Sequence, residues 1–329
     1  MKLKPGNLKA PECIGLRWVQ GEPRSLKDLE GQIVLLFFFD YSNEHCLRVL
    51  SYLKIWHGRY VDKGLEILAI HTPEFDFGAD KANVRRAVED LGIPFSVALD
   101  PESKTWDTYA NRHWPALYLI DKNGYIFDYQ FGEGGYFDFE TSIQACIKQV
   151  TPRIFLPRPI ELSTTDDTGA LVTPITPNIY FGYRRGRIGN PEGFQENSVA
   201  KYILPEQIRS DVFQAEGFFL AREDMLVHAD TETVRLVLSF DAAEVYLIAA
   251  PDPTRTGPAK LTILQDGNPL SQSTLGRSCT IENGQSVCEV WFPNLYHIVK
   301  NDSCERRLLE IQTATPGARF YCATFTTES

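Results

Sequence analysis

Among its seven cysteines the chain has no two separated by only two residues. That absence excludes a self-contained CxxC dithiol centre and the tight pairs of common zinc sites. An odd number of widely spaced cysteines points to reduced thiols in a cytoplasmic protein more than to a disulfide framework. The amino terminus, MKLKPGNLKAPECIGLRW, lacks an apolar h-region, and no run of 18 or more apolar residues occurs anywhere. A soluble, unexported chain with no membrane partner is therefore expected. Basic charge is scarce: 33 Lys and Arg stand against 43 Asp and Glu, a net charge of -10. Phosphate surfaces need clustered cations, so no nucleic-acid partner is expected, and the short RRGR cluster at 184–187 reads as a solvated loop. Neither a low-complexity segment nor an internal repeat is visible, and 329 residues suffice for two domains with separate cores.

What is present begins with IVLLFFF at 33–39, an apolar run of strand length that suits a strand buried on both faces. A helix is predicted from about Asn43 to Val61, then a strand in LEILAIHTP (65–73). In KANVRRAVEDLG (81–92), Val84, Ala87, Val88 and Leu91 mark one helical face. FSVALD (95–100) reads as a third strand and SKTWDTYANRH (103–113) as a helix capped by Ser103. A hairpin turning at Lys122, Asn123 and Gly124 and a last helix ending near Val150 complete the unit. Strands alternating with helices imply a parallel sheet, and the terminal hairpin and helix make the pattern thioredoxin-like, in its redoxin variant.

Residues 151–178, rich in Pro, Ser, Thr and Asp, have a linker composition. From 179 to 329 the pattern is all β, with TVRLVLSF, EVYLIAA and KLTILQDGNPL among short strands punctuated by turn signals. The expected architecture is thus an α/β thioredoxin-like domain at 1–150 and an all-β sandwich or jelly roll at 179–329. CTIENGQSVC reads as a hairpin that sets Cys279 opposite Cys288, and separate strand thiols are the default for Cys279, Cys288, Cys304 and Cys322.

The chemistry concentrates where the first strand runs into a helix, in FFFDYSNEHCLRVLSYLKIW at 37–56. That junction is where a dithiol protein carries its CxxC pair, and here Asn43 holds the first place and Cys46 the second. Asn43 cannot attack a disulfide but is among the best N-cap residues. Cys46 is in phase with Val49, Leu50 and Leu53, which directs it to the core and raises its pKa, while His45 and the helix terminus favour a thiolate and Glu44 opposes it. Glu44, His45, Cys46 and His71 fall at carboxyl ends of parallel strands, where ligands of open α/β sheets gather, and His113 precedes a proline expected at the same edge. Imidazoles, a thiol and carboxylates at one edge would suit acid-base work, but their spacings match no metal motif, and no metal or cofactor is expected.

SLKDLEGQIVLLFFFDYS, AIHTPEF, NRHWPALYLID and FGEG resemble, in order, the thioredoxin-like part of DipZ-type thiol:disulfide interchange proteins. Their redox segment resembles WTYSCxNC, so Tyr41, Ser42 and Cys46 match while Asn43 replaces a cysteine. The resemblance implies a cis bond between Trp114 and Pro115 in a substrate-facing loop, and it places His71 and Glu74 of HTPEF and Glu133 of FGEGG in shared motifs. TPNIYFG, VYLIAA, LTILQDGNPL and ARFYCATF are similar to the carboxyl-terminal domain of the same proteins, which resembles carbohydrate-binding modules. The PxxxTxxC pattern of peroxidatic cysteines is not met, because Phe39 and Asn43 occupy its Pro and Thr places.

Three functions follow as expectations. One is a monothiol redox protein or sensor acting through Cys46, with His45 and Asn43 beside it. The second is a redox-inactive binding or scaffold protein. Its cleft, drawn from Tyr41, Ser42, Glu44, His71, Glu74, His113, Trp114, Pro115 and Glu133, would take a thiol, a peptide or a small molecule. The third is an enzyme repurposing the His, Cys and Glu residues of that cleft. The sequence leaves the oligomeric state open.

Overall fold

A computed structural model describes residues 8–160 and 175–327. The chain divides into two compact units, Met1–Ala170 and Leu171–Ser329. Half of the expected linker, 161–174, lies outside the described residues.

In the first unit, β1 (Arg17–Gln20), β2 (Ile33–Phe39), β3 (Leu65–His71), β4 (Ser96–Leu99), β5 (Ala116–Ile120) and β6 (Ile126–Phe131) form one sheet in the order β1-β4-β3-β2-β5-β6. The pairs β2–β3 and β3–β4 are parallel, whereas β5, β6 and β1 join antiparallel. Every residue of β2 is buried, as an apolar run without alternation requires of a central strand covered on both faces. One face packs Val34, Leu36 and Phe38 against Leu68, Ile70, Trp106 and Tyr118. The helices are α1 (Glu44–Tyr60), α2 (Lys81–Asp90), α3 (Lys104–Thr108) and α4 (Tyr136–Val150).

Two local expectations change. The helix foreseen at 103–113 is only α3, five residues long, and Ser103 is not its cap: it is left-handed at φ 55° and makes no side-chain capping bond. Asp100 Oδ2 instead accepts the Trp106 amide at 2.8 Å. The chain after α4 is held to this unit by the buried Glu140, whose Oε2 accepts the Ile160 amide at 2.7 Å while Oε1 accepts the Tyr60 hydroxyl at 2.5 Å and Arg59 at 2.9 Å.

The second unit is all β. Its strands are β7 (Ile179–Tyr180), β8 (Val199–Tyr202), β9 (Phe213–Ala221), β10 (Leu226–His228), β11 (Val234–Ala250) and β12 (Ala259–Gln265). They continue with β13 (Asn268–Pro269), β14 (Cys279–Glu282), β15 (Gln285–Val290), β16 (Asn294–Thr313) and β17 (Arg319–Thr326). The two strands expected at 233–240 and 244–250 are one, because β11 runs unbroken through Asp241 and Ala242 beside β16. The first half of β11 pairs β9 and the second half pairs β17, while β10 pairs both β9 and β17. Pairing therefore closes a circuit around a core that includes Phe213, Phe219, Leu226, Leu236 and Phe320. The circuit leaves β14 and β8 as the two edge strands of the sheet. Cys279 and Cys288 are direct cross-strand partners, and every cysteine of the chain is a free thiol. No described helix is long and apolar enough to cross a membrane.

Candidate functional site

At the carboxyl end of β2, Asp40 is fully buried. Its Oδ1 accepts the amide and the hydroxyl of Ser42, both at 2.6 Å, and its Oδ2 accepts the Glu74 amide at 2.7 Å. His71, also fully buried, brings Nε2 to 3.7 Å from Asp40 Oδ1 and stacks on Tyr41 with ring centroids 5.1 Å apart. Burial acts to raise the Asp40 pKa, but His71, Ser42 and the Glu74 amide together hold it below the ordinary carboxylate value. This carboxylate ties the strand-to-helix turn to the loop after β3, because it bonds backbone in both.

Helix α1 then starts at Glu44, with Asn43 as its N-cap in extended conformation. Asn43 Oδ1 accepts the Cys46 amide at 3.1 Å, satisfying one of the orphan donors of the first turn. Cys46 faces the core with no exposure. Burial pushes its thiol well above the ordinary cysteine pKa, and the charges of Asp40, Glu44 and Glu74 add to this against a hydrogen bond with the Asp40 backbone. The two other thiols of the unit, Cys13 and Cys146, are both pushed up to about 12, chiefly by burial. Of the two readings open for Cys46, core thiol or thiolate, this burial favours the core thiol, desolvated amid three carboxylates.

His45 lies on the outer side of the same turn, between two carboxylates. Its Nδ1 is 2.8 Å from Glu133 Oε1 and its Nε2 is 3.3 Å from Glu44 Oε1. Arg48, one turn on, donates Nε to Glu133 Oε2 at 2.5 Å and Nη2 to Glu133 Oε1 at 2.8 Å. Burial and Arg48 act to lower the His45 pKa, but the Glu133 hydrogen bond and the charges of Glu44 and Glu133 raise it above its ordinary value. Glu133 is held down at about 2: burial would raise it, and the bonds and charges of His45 and Arg48 prevail. Glu44 is buried, and neither of its oxygens accepts a hydrogen bond, so His45 is its compensating charge. The result is an ion-pair cluster across the amino terminus of α1, where a redox pair would need to be open.

On the other side of the turn the Trp114-Pro115 bond is cis. Trp114 Nε1 donates to the Thr72 carbonyl at 3.1 Å, and its ring stacks on Trp106 with centroids 4.2 Å apart. The indole is thus half-buried and committed to the core, while His113 is exposed.

Several residues assigned to an open cleft lie beneath it. Tyr41, Ser42, Glu44, His71 and Pro115 are buried, because the strand end and the loop pack on one another. Asn43, His45, Glu74, His113, part of Trp114 and Glu133 remain accessible. Sequence reasoning missed Asp40 and Arg48. Asp40 was signalled by a charge ending an otherwise apolar strand, and Arg48 by standing three residues after His45 on the same helical face. No group of three or more metal-ligating side chains occurs among the described residues.

Residues 7–128 match the AhpC/TSA family and residues 176–326 the thioredoxin-like C-terminal domain family. The chain is 32% identical to the DipZ protein of Mycobacterium bovis over 82% of its own length and 38% of that protein's. It is 30% identical to the thiol-disulfide oxidoreductase ResA of Bacillus thuringiensis over 41% of its own length and 72% of ResA. The chain belongs to the thioredoxin-like family of DipZ and ResA. A solved thiol-disulfide isomerase of Corynebacterium glutamicum shares 22% identity at a TM-score of 0.37, covering 44% of this chain and 95% of that one. The first unit thus carries the thioredoxin fold of thiol-disulfide oxidoreductases, and the chain spans 38% of the DipZ protein's length. Family membership also overturns the cytoplasmic placement made from unpaired thiols. ResA is named for thiol-disulfide exchange, a chemistry that a placement read from unpaired thiols did not foresee.

Proposed function

We propose that the first unit of this DipZ and ResA relative is a thioredoxin-fold binding module that performs no thiol-disulfide exchange. The observation that carries this reading is the state of Cys46, wholly buried with its thiol pKa raised, behind an N-cap asparagine that cannot attack sulfur. Exchange needs an accessible thiolate and a resolving thiol. The same burial weighs against the monothiol alternative, and against acid-base catalysis weigh the engagement of His45 by Glu133 and the burial of His71.

In this reading the accessible rim of Asn43, His45, Glu74, His113, Trp114 and Glu133 receives a peptide segment. In the second unit Phe181 and Phe219 are core residues, whereas Trp291 is exposed and donates its indole N–H to Glu289 at 3.1 Å.

The test is insulin disulfide reduction with dithiothreitol, using the wild-type chain, Asn43→Cys and Cys46→Ser. The wild type is expected to match the uncatalysed rate, and Asn43→Cys to exceed it. Wild-type catalysis that disappears in Cys46→Ser would overturn the proposal.

A further inference from the structure

The second unit carries a cleft that no part of the foregoing uses. Its volume is about 540 Å³, within the range of small-molecule sites, and Arg187, Ile188, Gly193, Phe194, Arg209, Ser210, Asp211 and Val212 line it. The sequence reading took Arg187 for part of a solvated basic loop. Other arginines of the unit are spent internally: Arg184 pairs with Asp224, Arg235 with Glu216 and Glu310, Arg306 with Asp241, and Arg307 with Asp266 and Glu305. The guanidinium groups of Arg187 and Arg209 have no hydrogen-bond or ion-pair partner among the described residues. Two free guanidinium groups thus border one cleft whose only carboxylate is Asp211.

The backbone holding them is fixed in advance. In FGYRRGRIG, a Cβ at Gly182 would overlap the Asp224 backbone, one at Gly186 the Tyr180 carbonyl, and one at Gly189 the Gln214 side chain. These glycines let the segment lie against its neighbours: Gly186 N bonds Gly182 O at 2.8 Å and Gly189 N bonds Phe213 O at 2.7 Å. Behind the lining, the buried Gln214 donates Nε2 to the Arg209 carbonyl at 3.2 Å, and its Oε1 has no partner. Asn190 ties the walls together, donating to Ile203 O at 2.8 Å and Ala215 O at 2.9 Å and accepting Ala215 N at 2.8 Å. Phe194, which packs on Phe213 with centroids 5.9 Å apart, gives the cleft an apolar side together with Ile188 and Val212. Two guanidinium groups carried on a close-packed backbone beside an apolar wall suit an oxyanion bonded to an apolar body, since guanidinium matches carboxylate and phosphate oxygens in pairs.

We propose that this cleft binds a small organic oxyanion, a carboxylate or phosphate on an apolar body, through Arg187 and Arg209. The test is calorimetric titration of the full chain at low salt with benzoate and with phenyl phosphate, using inorganic phosphate and benzyl alcohol as probes of each half alone. Saturable binding of benzoate or phenyl phosphate is expected, tighter than of either half-probe, and the tighter of the two names the oxyanion. Arg187→Gln and Arg209→Gln should each weaken it about tenfold, as loss of a charge-assisted pair predicts. Lys201→Gln, which removes an exposed cation outside the cleft, should leave it unchanged. All three substitutions are at exposed positions, and unchanged melting curves show that the fold is kept. Absence of saturation, equal weakening in Lys201→Gln, or benzyl alcohol binding as tightly as the anions would overturn the proposal.

Discussion

Replacing Glu133 by Gln removes one charge from the cluster over the start of α1 while keeping the shape of the side chain. In the native protein Glu133 is held at about 2 against an ordinary 4.5, and a displacement of that size corresponds to roughly 3 kcal/mol. The side chain is 29% exposed, so solvent screening reduces the figure to about 1–2 kcal/mol. Because the folded-state pKa is depressed, this stability is present above pH 4.5 and is lost as pH falls towards 2. His45 titrates with the opposite sign: its folded pKa is raised, so its contribution is full below its unfolded value and disappears as pH rises through the folded one. In Glu133→Gln the imidazole keeps the opposing effects of burial and Arg48 but loses its best acceptor, and only Glu44 still raises it. The assay is NMR titration of the His45 ring proton together with melting at pH 7 and pH 2.5. The expected result is a lower His45 pKa and a stability deficit of about 1–2 kcal/mol at pH 7 that shrinks to about a quarter of that by pH 2.5. An unmoved His45 pKa would refute the ion-pair cluster as described.

Asn43→Ala should cost about 1 kcal/mol through loss of the cap on the Cys46 amide, lowering the melting temperature of the first unit by about 2–4 °C. Asn43→Ser, which restores an acceptor, should recover most of it, and equal melting of all three proteins would refute the capping role. Glu140→Ala strips Arg59, Tyr60 and the Ile160 amide of their common acceptor, so a loss of about 3 kcal/mol is expected, with faster tryptic cleavage after Arg153. Unchanged cleavage would mean that Glu140 does not hold this segment.

The fold was legible because its strongest signals are local. IVLLFFF has no alternation and became the central strand, and the i, i+3, i+4 phase of Cys46, Val49 and Leu50 correctly sent the thiol inward. Failures came where tertiary contacts decide. Ser103 has the chemistry of a cap but is left-handed, with the Asp100 carboxylate taking the Trp106 amide close by. The break foreseen between two strands disappears because β16 pairs along most of β11. In the site, residue types were read correctly and their exposure was not. A strand end sounds open, yet Tyr41, Ser42 and His71 are sealed by the Asp40 network, which only the folded geometry assembles. Arg187 and Arg209 are 22 positions apart in the chain, and no local pattern joins them at one cleft.

The central claim rests on Cys46, and the most direct measurement is its alkylation rate in the native protein from pH 6 to 10. Peptide mass spectrometry would assign the site, with Cys46→Ser and the denatured chain as references. Labelling that waits for an opening of at least about 5 kcal/mol should run roughly 10³–10⁴-fold slower than in the denatured chain. Labelling within about tenfold of the denatured rate, with an apparent pKa below about 8.5, would contradict a buried, unreactive thiol and return the first unit to redox chemistry.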